Sequence, residues 1–222
     1  MCGRFAVTLP PDAMAQMFDA VPANDLPEVP NYNVCPTNDV HAVWHDGSAR
    51  RLGAMRWGFL PHWYKAPNDG PLLINARAET IADKPAFRAA ARDRRCLIPA
   101  NGFYEWTKDA DGKRLPWYIH PADGEALAFA GVWQDWERDG TAYRTCAIVT
   151  TGANDAMSRI HHRMPVVLSS QDWPLWLGEA GHGAARLMTA APEDALAFYR
   201  VDPKVNSNKA SGPTLVEPLN PA

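Results

Sequence analysis

Twenty prolines are spread through 222 residues, and their spacing limits what the chain can become more than any other feature. Proline locks φ and removes a backbone donor, so frequent prolines interrupt long helices. They favour short strands joined by turns and argue against a helical bundle. Apolar residues make up 46% of the chain and charged residues 21%, enough for one sizeable core. The expected fold class is α+β, mostly antiparallel β with a few short helices, in one domain over residues 1–222. No repeat, heptad pattern, linker or low-complexity segment divides it. The formal net charge of −3 gives no global attraction to nucleic acid or lipid. Any polyanion site has to be a local patch of arginines.

Residues 2–8 alternate as a strand, with Cys2, Arg4 and Ala6 on one face and Gly3, Phe5 and Val7 on the other. Residues 11–19 suit a short helix with Met14, Met17 and Phe18 as its apolar stripe. Residues 21–38 read as a proline-rich loop. Strands are expected at 40–45 and 51–57 around the turn signal Asp46-Gly47. Further strands are expected at 72–79, 96–99, 102–106, 116–120, 127–133, 143–150, 166–168 and 198–201, with Asp139-Gly140 as a second hairpin turn. Helices are expected at 83–92 and 170–177, and a helical turn at 192–197. Short connections predict an antiparallel sheet.

The four cysteines, Cys2, Cys35, Cys96 and Cys146, form no C-x-x-C pair. With no signal-peptide pattern, they read as reduced thiols of a cytoplasmic protein. No run approaches the roughly 18 apolar residues of a membrane span. Cys2 follows the initiator methionine, and removal of Met1 gives it a free α-amine beside its thiol. Their reference pKa values of about 7.7–8.0 and 8.5 leave both partly available at neutral pH. Such an aminothiol condenses with an aldehyde to an imine, on which the thiol closes a thiazolidine ring. The alternative is an ordinary small residue in a frayed terminus.

Other residues add to this chemistry. Trp57 and Trp63, set among Gly and Pro, fit either a core or a base-stacking wall. Asn75, Arg77 and Glu79 share one strand face, which is either solvated or a polar cleft where Arg77 holds a phosphate. The arginines of residues 83–92, with Arg94 and Arg95, form a basic cluster whose default reading is a solvated face. Glu105 lies among aromatics, where desolvation makes a general acid of a carboxyl; an edge carboxylate paired with an arginine is the alternative. His161 and His162 are adjacent and lack the i, i+4 spacing of a helical zinc pair. One of them acts as acid, base or donor, or is a buried structural histidine.

In order along the chain stand M-C-G-R-F at 1–5, Y-N-V-C-P-T at 32–37, R-W-G at 56–58 and N-A-R-A-E-T at 75–80. I-P-A-N-G-F-Y-E-W follows at 98–106, then F-A-G-V-W at 129–133, T-T-G-A-N at 150–154 and I-H-H-R-M-P at 160–165. Together they resemble the SOS-response-associated peptidase family, the abasic-site processing proteins, over roughly residues 2 to 218. The resemblance implies a mostly β domain with a positively charged groove that binds single-stranded DNA, or single-strand/double-strand junctions, at an abasic site. It implies a DNA damage response role in which Cys2, after loss of Met1, forms a thiazolidine cross-link with the abasic sugar aldehyde. Asn75, Glu105 and His161 match the family's other functional positions. On this reading Arg4, Arg77 and Arg163 hold phosphates, Trp57 and Trp63 stack on bases, and Pro36, Thr37, Thr150 and Thr151 line the strand's path. A monomer with no metal and no organic cofactor is expected, associated with the nucleoid when bound to damaged DNA. The rival readings are a thiol peptidase with Cys2 as nucleophile, and a non-catalytic single-strand binder.

Overall fold

In the computed structural model, residues 2–23 and 25–219 are described; the initiator methionine, on which the processing expectation bears, lies outside them. Phe5 starts the first strand, β1 (Phe5–Val7), which is buried throughout. A short helix α1 (Pro11–Phe18) follows, with proline in its first turn and Met14 and Phe18 buried. The expected loop at 21–38 is a correction. It contains the end of one strand, β2 (Ala20–Pro22), and the whole of another, β3 (Asn31–Val34). Each is too short to show alternation and is held by pairing to distant residues.

The expected hairpin is present as β4 (Asp39–His45) and β5 (Arg50–Trp57), with Val43 opposite Leu52. Asp46 ties its turn by accepting from the Ser48 and Ala49 N–H groups at 2.8 and 2.9 Å. The strand expected at 72–79 shrinks to β6 (Asn75–Arg77). The helix expected from Asp83 begins as turns and becomes α2 only over Arg88–Asp93. β7 (Arg95–Ala100) is followed by β8 (Gly102–Lys108) and β9 (Arg114–Pro121), and β8 and β9 pair as a hairpin. β10 (Leu127–Arg138) and β11 (Thr141–Gly152) form a long hairpin. Asp139 and Gly140 both take positive φ, 50° and 77°, as a two-residue hairpin turn requires. The chain then runs through α3 (Asp155–Ser158), β12 (Arg163–Pro165), α4 (Trp173–Leu177) and β13 (Leu196–Arg200). β13 takes in part of the stretch expected as a helical turn.

Two sheets result. One has the order β13-β9-β8-β1-β3, so the N-terminal strand lies inside it. The other has the order β12-β11-β10-β7-β4-β5-β2, and a parallel pairing of β11 with β5 closes it into a small barrel. β6 also joins β11 in parallel, and β2 joins β5 in parallel. The expectation of an antiparallel sheet therefore holds for most pairs and fails for these three, whose partners are brought together across the chain. The sheets meet where Phe5 packs 5.1 Å from Trp57 and 5.9 Å from Phe129, measured between ring centroids. Trp57 is fully buried and donates its indole N–H to the Ile74 carbonyl at 3.0 Å. Among the described residues, no helix is long and apolar enough to cross a membrane.

His41 on β4 is 1% exposed. Burial pushes its imidazole pKa down to about 4, with the Pro27 backbone opposing. The unfolded imidazole has a pKa of about 6.5, so the unfolded chain takes up the proton first as pH falls. The folding stability this histidine contributes is complete above about pH 6.5 and is lost as pH falls towards 4. The denaturant midpoint is expected to drop across that window, and His41→Asn to flatten the drop. An equal slope in both proteins, followed by tryptophan fluorescence, would contradict this.

Candidate active site

Cys2 lies in the extended segment that leads into β1, at the junction of the two sheets, and is fully buried. Its carbonyl accepts a 3.1 Å bond from Asn75 Nδ2. Asn75 reaches it because β6 is held parallel to β11, with Asn75 opposite Ile148. Asn75 Oδ1 is buried with no hydrogen-bond partner among the described residues, which leaves an acceptor beside Cys2.

β8 brings Glu105 to the same place. Phe103 pairs with Phe5, and the Tyr104 N–H donates to the Arg4 carbonyl at 2.9 Å. Glu105 follows and is 3% exposed. Burial holds its carboxyl above the usual carboxylate range, against the pull of the Arg114 charge and the Trp106 N–H. The Cys2 thiol is pushed up as well, by burial first and by the Glu105 charge second, while the Arg4 backbone opposes. Glu105 is therefore close enough to Cys2 to shape the ionisation of its thiol.

His161 follows α3 and precedes β12. Its own N–H bonds the Met157 carbonyl at 2.9 Å. Its Nδ1 lies 3.0 Å from the Arg163 N–H and 3.2 Å from the Arg163 carbonyl; with Nδ1 as acceptor, the neutral ring carries its proton on Nε2. Burial, the largest cause, lowers its pKa; the Arg163 backbone opposes, and the His162 and Arg163 charges add to the lowering. The ring stacks on His162 with centroids 4.4 Å apart. His161 lines a hollow of about 430 Å³ with Gly3, Arg4, Glu105, Trp106, Lys108 and Arg114; His162 does not. Trp106 stands between two cations, with Arg114 4.5 Å and Arg4 5.9 Å from its ring. Arg4 is held in turn by bonds to Asn33 Oδ1 at 2.7 Å and the Val205 carbonyl at 2.9 Å.

A second hollow of about 350 Å³ lies on the Asn75 side, with Trp63, Arg77 and Lys84 in its wall. Trp63 is 44% exposed. The two tryptophans expected to stack thus divide: Trp63 faces solvent at the site, and Trp57 is core and cannot meet a base. Thr150 is also fully buried and presents nothing to solvent. Arg163 is only 9% exposed, and its guanidinium is occupied by Glu79 at 2.6 and 2.9 Å and by the Thr150 carbonyl at 2.7 Å. It acts as a brace rather than a free phosphate holder. Thr151 is half-buried opposite Met164 on β12. Pro36 is half-buried and Thr37 exposed, with the Thr37 N–H donating to the Trp57 carbonyl at 2.7 Å. Pro36, Thr37, Thr150 and Thr151 line neither hollow.

The sequence reading did not single out Lys108 and Arg114. They sit opposite each other across the β8–β9 hairpin, and the polar turn at 109–113 was the available signal. Among the described residues no group of three or more His, Cys, Asp or Glu is arranged to hold a metal ion. The four cysteines are unpaired, and only Cys35 is not buried.

The family described as SOS response associated peptidase (SRAP) matches residues 1–208, and the chain belongs to it. The match agrees with the motifs that resembled this family. The chain is 38% identical to the abasic site processing protein YoqW of Bacillus subtilis, over 98% of this chain and 99% of that one. It is 29% identical to YedK of Escherichia coli, an abasic site processing protein by name, over 99% of this chain and 100% of that one. The rat abasic site processing protein HMCES is 29% identical, over 99% of this chain and 76% of its own length. A crystal structure of a Bacteroides thetaiotaomicron protein shares the fold, with a TM-score of 0.86 at 23% identity and coverage of 99% of this chain and 100% of that one.

The Arg163–Glu79 pair joins β12 to the segment after β6 and so ties His161 to Asn75. Glu79→Gln leaves a nearly buried guanidinium without its counter-charge, and the expected loss of stability is roughly 1–3 kcal/mol. Thermal unfolding measures it; an unchanged midpoint would mean the pair holds nothing in place.

Proposed function

We propose that this protein processes abasic sites in DNA by linking itself covalently to them through Cys2. The reading rests on one observation above the others: a buried cysteine at the start of the chain whose carbonyl is held by Asn75 and whose thiol senses Glu105. The names of the relatives supply the substrate class. The partner is single-stranded DNA, including strands at single-strand/double-strand junctions. All the residues come from one chain, so a monomer is sufficient.

The chemistry follows from the protonation states. A resting abasic sugar is mostly a closed hemiacetal. Glu105 as carboxylate takes the anomeric hydroxyl proton and passes it to the ring oxygen, which the His161 Nε2–H holds by a hydrogen bond, as the bond from that oxygen to the anomeric carbon breaks and the aldehyde opens. The α-amine freed by loss of Met1 adds to the carbonyl carbon. Glu105, whose protonated form burial favours, relays the two amine protons in turn to the departing oxygen, and water leaves with formation of the C=N bond. The Cys2 S–H then adds across that bond: sulfur joins carbon, the proton ends on nitrogen, and the ring closes. Asn75 orients the terminus, with Nδ2 on the Cys2 carbonyl and Oδ1 left to accept from the sugar or the amine. Arg4 and Arg77 hold flanking phosphates, joined by Lys108 and Arg114, and Trp63 offers a stacking face.

A peptidase would need Cys2 as a thiolate. Burial and the Glu105 charge both keep it protonated, which favours the amine as first nucleophile and weighs against that role.

An abasic oligonucleotide incubated with the protein and boiled before electrophoresis is expected to show a retarded, heat-stable band. Cys2→Ala is expected to abolish the band, and Glu105→Gln to slow it by about 10²–10⁴-fold. A heat-stable adduct formed by the Cys2→Ala protein at the normal rate would end the proposal.

A further inference from the structure

The basic cluster at the start of α2 has no part in the chemistry above. Lys84 N–H bonds the Thr80 carbonyl and Arg88 N–H bonds the Lys84 carbonyl, both at 3.0 Å. The turn ahead of α2 is therefore helical in its bonding, and Lys84, Arg88 and Arg92 follow at steps of four. At 3.6 residues per turn each step rotates about 40° and rises about 6 Å, so the three cations form one row. Asp83 and Asp93 each lie about 100° of rotation from the nearest end of that row. All three cations are exposed, and none makes a salt bridge among the described residues.

The row begins at the wall of the Asn75 hollow, where Lys84 stands with Trp63 and Arg77. It ends beside a separate hollow of about 230 Å³, bordered by Arg88 and Arg92 and floored by Ile81, Ala91, Trp176 and Met188. Arg95 also lines this hollow, but its guanidinium is taken up by the Trp176, Ala91 and Arg92 carbonyls. Two free guanidiniums therefore flank an apolar recess one helix length from the site. An unpaired strand presents phosphates to the cations and a bare base to the recess, whereas a duplex keeps its bases stacked inside. Guanidinium planes also lie well against bases.

We infer that Arg88, Arg92 and the apolar recess between them form a second contact for single-stranded nucleic acid, holding phosphates and one base of the strand that continues past the abasic site. This rests on the proposed function for the presence of the strand, and it adds where the strand goes. Its binding energy comes from nucleotides remote from the lesion, so it acts on affinity and not on the bond-forming steps.

The test uses oligonucleotides with a tetrahydrofuran in place of the abasic sugar, which cannot react, and reads affinity by fluorescence anisotropy as each flank is lengthened. Affinity of the unaltered protein is expected to rise about tenfold on lengthening one side, the scale of one added base contact. Arg88→Gln/Arg92→Gln is expected to lose that rise. Its plot of log affinity against log salt should be shallower by about 1.4, from about 0.7 per phosphate on single strands. Met188→Trp, which fills the recess, should lose part of the rise and keep the salt slope. All three proteins should bind the shortest oligonucleotide equally and share one melting temperature.

The inference is overturned if the double variant keeps the length-dependent gain, or if it binds the shortest oligonucleotide poorly. It is equally overturned if the gain appears only when the flank is paired with a complement, or if an acidic peptide carrying an apolar residue occupies the recess without competition from the long strand. Absence of a heat-stable Cys2 adduct with a reactive abasic strand would instead remove the parent reading and leave this binding experiment intact.

Discussion

The packing of Phe5 against Trp57 and Phe129 is the contact on which the site depends. Chain starts are usually loosely held. Here the first strand lies between β3 and β8 in the middle of a sheet, and its aromatic residue enters the seam with the second sheet. Full burial of one such side chain contributes on the order of 1.5–3 kcal/mol, and the edge-to-face contact with Phe129 adds to it. That anchor sits only three residues after Cys2, so it leaves the cysteine little freedom of position. Cys2 is held in place because its neighbours belong to the core.

Burial of that terminus also sets the protonation of everything near it. Desolvation disfavours each charged form, and the three groups respond in their own directions: the Glu105 carboxyl and the Cys2 thiol shift up, the His161 imidazole down. All three are drawn towards neutrality in a pocket whose rim is cationic. Arg4, Lys108 and Arg114 line one hollow and Arg77 and Lys84 the other, on a chain of net charge −3. A site of this kind attracts a polyanion from a distance and presents uncharged reactants once it arrives.

Much of this could be read from residue order. Hairpin turns at Asp46-Gly47 and Asp139-Gly140 announced their strands, and the motifs named Cys2, Asn75, Glu105 and His161. The arginines and tryptophans could not be sorted in that way. Arg163 and Arg77 both look like phosphate holders by type, yet Arg163 is occupied by Glu79, 84 residues away, and Arg77 is exposed. Trp57 and Trp63 share one short stretch, but Trp57 ends a barrel strand and Trp63 follows where the chain has left the sheet. The strands inside 21–38 were missed because three- and four-residue strands carry no period, and their partners are remote. Parallel closure of the barrel, β11 on β5, left no local trace for the same reason.

The proposed order of bond formation agrees with these shifts. A thiolate and a free amine on one residue would compete for an aldehyde. A thiol alone gives a hemithioacetal that falls apart readily, whereas an amine gives an imine that the adjacent sulfur can trap. With the Cys2 thiol held protonated by burial and by the Glu105 charge, sulfur in the proposed reaction would add only after the C=N bond has formed. Among the described residues Glu105 is the only carboxylate lining the His161 hollow, so in the proposed reaction one group would open the sugar, release water and restrain the thiol. Moving it by a single residue along β8 would turn it to the other face of the sheet, away from Cys2.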